Sequence, residues 1–261
     1  MDAIISLKGI SALASGFPAL AGVDLDIFQR EIVLLQGPNG AGKTSILRVC
    51  AGLLPAVTGS ALVLGCDLRK DRRSVRRHIG LVGHTGFLYD DLTAEENVRF
   101  AVRASGAQPG SVPQALERLG VSGRLLGTRV DRLSAGQRRR VVLATLLARS
   151  PLLWLLDEPH AGLDANGRDL LDEIVCEARS HGATIVIASH EGERSLRLVD
   201  RVITVAGGQV TSSVAAHDDP GCEPASEFAA RVDKHEVEPE KGLDLPSLGE
   251  PQLAQEPVHV A

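Results

Sequence analysis

The stretch Gly37-Pro38-Asn39-Gly40-Ala41-Gly42-Lys43-Thr44 constrains this chain more than any other. It satisfies the pattern G-x-x-x-x-G-K-[S/T] at every position. An apolar run, Ile32-Val33-Leu34-Leu35, precedes it, and a segment of helical texture, Ser45-Ile46-Leu47-Arg48-Val49, follows. Glycines let successive backbone N–H groups turn inward and form a concave anion nest. The helix N-terminus adds partial positive charge at the same place. Lys43 is placed to reach the β- and γ-phosphates of a nucleoside triphosphate, and the Thr44 hydroxyl to ligate Mg²⁺. A chain built around this loop is expected to be an α/β protein that binds a nucleoside triphosphate.

The 261 residues suffice for one large α/β domain with a tail. Apolar residues make up 44% but aromatics only 3%, so the core must be built from Ala, Val, Leu and Ile. The net charge of −5 conceals an asymmetry. Residues 212–261 hold 11 acidic and 3 basic side chains, whereas residues 1–211 hold 22 acidic and 25 basic. Mild basicity suits a phosphate ligand and, with no interleaved aromatics, falls short of a nucleic-acid footprint. Cys50, Cys66, Cys176 and Cys222 are scattered, without a C-x-x-C pair, and are expected as free thiols. No apolar run is long enough for a membrane span, and Met1-Asp2-Ala3-Ile4 lacks the basic start of a signal peptide. The expectation is a protein without leader or transmembrane segment that stays inside the cell.

Ile4 to Leu7 and Val23 to Phe28 read as β-segments around a turn, and Ala61 to Gly65 as a short strand. Arg72, Arg73, Arg76 and Arg77 form a basic cluster, either a solvated helix face or a surface for a partner. After the strand Ile79 to Val82 the texture turns helical, from about residue 90 to 149, with a capping-box start at Thr93-Ala94-Glu95-Glu96. Continuous apolar runs then return at Leu152–Leu156, Thr184–Ala188 and Val202–Val205, as expected of parallel strands covered on both faces. Residues 212–261 carry six of the 13 prolines, many acids and no apolar period, and read as a disordered tail after a domain over 1–211.

Three further stretches carry chemistry. Leu153-Trp154-Leu155-Leu156-Asp157-Glu158-Pro159 is an apolar strand ending in two carboxylates whose side chains must diverge. Asp157 could then hold Mg²⁺ while Glu158 polarises a water for in-line attack. Leu133-Ser134-Ala135-Gly136-Gln137 opens a helix, with Ser134 as N-cap and small residues that leave first-turn N–H groups bare for an anion. Downstream stand Ala161-Gly162-Leu163-Asp164 and, after an apolar strand, His190.

In this order the motifs resemble an ABC-type ATPase over about residues 3–211. The resemblance implies a P-loop NTPase core with a mainly parallel sheet, an antiparallel N-terminal β-subdomain and a helical insert. It implies that Gly37 to Ser45 form the Walker A loop for ATP, that Asp157 and Thr44 hold Mg²⁺, and that Glu158 is the catalytic base. His190 would be the switch histidine at the γ-phosphate beside Lys43. Ala161, Gly162, Leu163 and Asp164 would form the D-loop. Leu133, Ser134, Ala135, Gly136 and Gln137 would close over ATP held by a second subunit, so one copy per chain implies a homodimer of nucleotide domains.

Two positions depart from the family pattern. His84 stands where a glutamine that touches Mg²⁺ is usual, and it could ligate the metal or a water. The adenine-stacking aromatic upstream of Gly37 can only be Phe17, at short spacing. Gly83-His84, the run Leu92 to Asn97 and Leu133 to Arg140 are similar to the haem-exporter subfamily of cytochrome c maturation. That likeness implies integral membrane permease partners and a peripheral position on the cytoplasmic face. Another small-molecule or drug exporter, or a soluble ABC ATPase of an assembly machine such as iron–sulfur biogenesis, remains open.

Overall fold

The computed structural model describes residues 3–83, 87–190 and 192–216. The chain opens with a long hairpin, β1 (Ala3–Ala14) and β2 (Phe17–Phe28), then β3 (Ile32–Gln36) and helix α1 (Lys43–Cys50). Strands β4 (Ala56–Val63), β5 (Cys66–Asp67) and β6 (Ile79–Val82) follow. The helical insert comprises α2 (Ala94–Ser105), α3 (Val112–Arg118) and α4 (Ala135–Arg149). The chain then runs through β7 (Leu153–Asp157), α5 (Ala165–Ser180), β8 (Thr184–Ser189), the short α6 (Gly192–Ser195), β9 (Arg201–Ala206) and β10 (Gln209–Ala215).

Two sheets result. A six-stranded sheet has the order β10-β9-β3-β8-β7-β6, parallel from β6 to β9 and closed by antiparallel β10. A four-stranded antiparallel sheet, β2-β1-β4-β5, stands beside it. The apolar runs are continuous because both faces of the larger sheet are covered. Alternation sends Ile32, Leu34, Trp154, Leu156, Ile185 and Ile187 into a core shared with the helices of the insert and α5. It sends Val33, Leu35, Leu153, Leu155, Val186 and Ala188 into a second core with α1 and the antiparallel sheet. Trp154, 2% exposed, donates its indole N–H to the Pro151 carbonyl at 2.9 Å, so its burial leaves no polar group stranded.

The hairpin is longer than the apolar pattern suggests. Gly9 and Gly22 hold positive φ where the β1–β2 register shifts, so bulges break the alternation on which the reading depends. β4 likewise starts at Ala56 rather than Ala61. The domain also reaches past residue 211: β10 continues to Ala215 on β9, and Ala216 donates to the Asp200 carbonyl at 2.9 Å. An edge strand with one face in water needs no apolar run, which is why its Thr and Ser residues look like a tail. The remaining tail residues, 217–261, lie outside the described residues.

Helix α2 begins where its capping box places it. Thr93 accepts from the Glu96 N–H at 3.2 Å while the Glu96 carboxylate accepts from the Thr93 N–H at 2.9 Å. Arg76 and Arg77 lie exposed in a single 3-10 turn, Ser74–Arg77, rather than along a helix. Cys50 and Cys66 are free thiols, the Cys50 thiol pushed up to about 12 by burial. Cys176 departs from expectation in being disulfide-bonded.

Candidate active site

The phosphate loop leaves the C-terminal end of β3 and re-enters the fold as α1. Gly37, Gly40 and Gly42 have φ of 154°, 79° and 111°, and the reason differs along the loop. A Cβ on Gly37 would lie 2.1 Å from the Val205 carbonyl oxygen, whereas a Cβ on Gly40 would meet nothing. Backbone packing therefore requires the first glycine and backbone conformation the second. The last strands brace the loop from outside: Gly208 donates to the Ala41 carbonyl at 2.9 Å and accepts from Ala21 at 2.9 Å. Phe17, two residues from the Ala19 carbonyl that abuts Gly42, is 75% exposed at the start of β2.

Lys43 is buried, its ammonium donating to the carbonyls of Gly37 at 2.6 Å and Pro38 at 3.1 Å. The charge is thus parked over the loop's own backbone. The Thr44 hydroxyl donates to Asp157 Oδ2 at 2.8 Å, joining the start of α1 to the end of β7. Ser45 follows on the first turn of α1. These two oxygens fit Mg²⁺, a hard cation that takes one or two protein oxygens and completes its shell with phosphate and water. His84 lies outside the described residues.

The two carboxylates diverge. Asp157 is buried and faces Thr44. Glu158 turns away with a φ of 45°, and its Oε1 accepts from the His190 backbone N–H at 3.0 Å and lies 2.7 Å from His190 Nδ1. Its Oε2 accepts from the Ser189 hydroxyl at 3.1 Å. The ends of neighbouring strands β7 and β8 thus bring Glu158, Ser189 and His190 into one cluster.

Ser134 caps α4, accepting from the Gln137 N–H at 3.2 Å while Gln137 Oε1 accepts from the Ser134 N–H at 2.9 Å. Ala135 and Gly136 complete the helix's first turn, and Leu133 is buried beneath it. Ser134, Gly136 and Gln137 share a cleft of about 360 Å³ with Gly162, Leu163 and Asp164. A Cβ on Gly136 would stand 3.3 Å from the Gly162 carbonyl, and Asp164 caps α5 by accepting from the Gly167 N–H at 2.8 Å. Ala161 stands exposed at the start of this segment.

Sequence reasoning missed two features. Arg139, 8% exposed on α4, donates to the carbonyls of Gly83, Glu158 and Pro159 at 2.8, 2.7 and 3.2 Å. His160 Nε2 lies 2.6 Å from Asp172 Oδ1, and Arg194 Nε donates to Asp172 Oδ2 at 2.7 Å, so α5 bridges the turn after Glu158 and the helix after His190. The run of three arginines at 138–140 was the one available signal, and its partners are distant in sequence.

A strand–loop–helix phosphate cradle, a hydroxyl and a carboxylate meeting at its base, and a second carboxylate at the next strand end define a P-loop NTPase core. The family profile described as ABC transporter matches residues 20–161. The chain belongs to this family and carries its ATP-binding cassette fold. It is 35% identical over 216 residues to the cytochrome c biogenesis ATP-binding export protein CcmA of Cupriavidus pinatubonensis, covering 82% of this chain and 90% of that one. It is 36% identical over 198 residues to the human phospholipid-transporting ATPase ABCA7, covering 74% of this chain but 9% of that protein. The chain spans about a tenth of the length of the mammalian ABCA7 proteins it matches. Among solved structures it resembles an ATP-binding cassette dimer in a post-hydrolysis state bound to ADP and phosphate. The TM-score is 0.76 at 25% identity, over 82% of this chain and all of that one. ABC ATPase domains bind ATP with Mg²⁺.

Proposed function

We propose that this chain is the ATP-hydrolysing subunit of an ABC transporter that energises integral membrane permease partners, and that its cargo is haem exported for cytochrome c biogenesis. The observation that carries the ATPase reading is the cluster of Glu158, Ser189 and His190 at the strand ends beside the phosphate loop. The haem reading is supported by the match to CcmA, which spans 90% of that protein, together with the likeness of residues 83–84, 92–97 and 133–140.

In the mechanism we infer, the loop N–H groups from Gly37 to Ser45 cradle the phosphates, and Lys43 swings from its carbonyl contacts onto the β- and γ-oxygens. Thr44 and Asp157 would hold Mg²⁺, which when bound neutralises charge on those oxygens. Phe17 stacks on adenine. A second copy of the chain presents Ser134 to Gln137 over the nucleotide, with residues Ala161 to Asp164 against the facing site. Glu158 directs a water at the γ-phosphorus and takes its proton. His190, oriented by the Glu158 carboxylate, and Lys43 stabilise the developing charge. Among the described residues no helix is long and apolar enough to cross a membrane; in this reading the permease partners supply the span. The aromatic groove of Phe87, Tyr89 and Phe100, edged by Arg76 and Arg77, offers a surface for them.

The test is affinity purification of Glu158→Gln with ATP from host membranes, with mass identification of what accompanies it. Multi-span membrane proteins of a haem-export system are expected. Recovery of soluble assembly proteins alone would overturn the transporter reading.

A further inference from the structure

We propose that Arg139 is a positioning residue for the Glu158 carboxylate, fixing the backbone of Glu158 and tying it to the helix that begins at Ser134. The inference rests on the ATPase reading above. Glu158 is one of five non-glycine residues at positive φ among the described residues, a backbone conformation unfavourable for a side chain that carries a Cβ. Such a conformation persists only where the surroundings hold it. Here they hold both sides of the residue. The Glu158 N–H donates to the Ala188 carbonyl on β8 at 2.8 Å, and its own carbonyl accepts from Arg139 Nη2 at 2.7 Å. The same guanidinium reaches the carbonyls of Pro159 at 3.2 Å, Asp157 at 3.5 Å and Gly83 at 2.8 Å.

A planar fork with donors on three nitrogens can span these carbonyls at once, which an ammonium on a flexible stem cannot do. Burial pulls the Arg139 guanidinium below its ordinary value, while the Asp157 and Glu158 carboxylates pull it back. A cation is thus kept in a site that disfavours it, where an apolar side chain would be the cheaper filler. Arg139 stands two residues after Gln137 on α4, so a shift of the cap at Ser134 moves the guanidinium and with it the carbonyl of Glu158. The tie also reaches Gly83, at the end of the strand that leads out towards the insert. One side chain therefore joins the insert, the end of β6 and the backbone of the turn after β7 that carries Glu158.

The experiment uses the full chain with Arg139→Gln and Arg139→Lys, measuring turnover, affinity for a fluorescent ATP analogue, and ATP-dependent dimer by size exclusion. For Arg139→Gln, turnover should fall about tenfold or more with analogue affinity held within about twofold, and dimer should accumulate with ATP as for Glu158→Gln. Arg139→Lys, which keeps charge and bulk and serves where the glutamine variant does not fold, should recover part of the turnover. Unchanged turnover in the folded variants, or turnover and affinity falling together without dimer, would overturn the inference. An unsubstituted chain that binds ATP yet never hydrolyses it would instead overturn the ATPase reading.

Discussion

The phosphate loop and the turn that carries Glu158 both need a backbone held in a conformation most residues avoid, and they achieve it by opposite means. The loop is held locally. Gly37, Gly40 and Gly42 accept the conformation without cost from a Cβ, and the packing of Val205 and Gly208 against them completes the cradle. The turn is held from a distance. In the role proposed for it Glu158 must keep its carboxylate, so glycine is excluded, and the positive φ is held by the Ala188 carbonyl on β8 and Arg139 on α4. The cradle for a phosphate is built mostly from backbone, which glycine frees, with the Lys43 ammonium laid over it. The proposed hydrolytic role instead needs a side chain at a strained point, which tertiary contacts secure.

The largest effect expected from breaking this contrast is at the turn. Glu158→Gln preserves the shape of the side chain and its contact with Ser189, so ATP binding should survive. Steady-state turnover should drop about a hundredfold or more in a phosphate-release assay. Next comes the loop itself. Gly37→Ala places a Cβ 2.1 Å from the Val205 oxygen, and the urea midpoint should fall by the equivalent of about 1–3 kcal/mol. Lys43→Ala removes a charged donor while leaving the glycine backbone intact. Titration of a fluorescent ATP analogue should show affinity weakened about tenfold or more. The smallest effect is at the exposed rim: Phe17→Ala should cost adenine about 0.5–1.5 kcal/mol of stacking, read as a loss of a few-fold in ATP affinity. Equal affinity for ATP and inorganic triphosphate in the unsubstituted chain would remove Phe17 from the site.

The same contrast explains what the sequence could reveal. The loop is legible because its determinants are contiguous: eight residues specify a backbone shape, a lysine and a hydroxyl. Asp157 and Glu158 are legible because alternation at a strand end sends two adjacent carboxylates apart, as they are found. The buried strands are legible because a parallel sheet covered on both faces leaves continuous apolar runs. Arg139 is not legible, since its partners are main-chain carbonyls at 83 and 157–159, and a carbonyl has no signature in sequence. The Asp172 bridge between His160 and Arg194 is hidden for a like reason, being a contact between segments that only the fold brings together. The β1–β2 hairpin and β10 were foreshortened because bulges and a solvent-facing edge erase the alternation that marks a strand.

The central claim, that two copies of this chain close over ATP and that Glu158 then drives hydrolysis, is tested most directly by light scattering on Glu158→Gln during size exclusion. With saturating ATP and Mg²⁺ the account predicts a species of twice the chain mass, absent without nucleotide and dispersed by Lys43→Ala. A monomer that stays a monomer while fully loaded with ATP would contradict it.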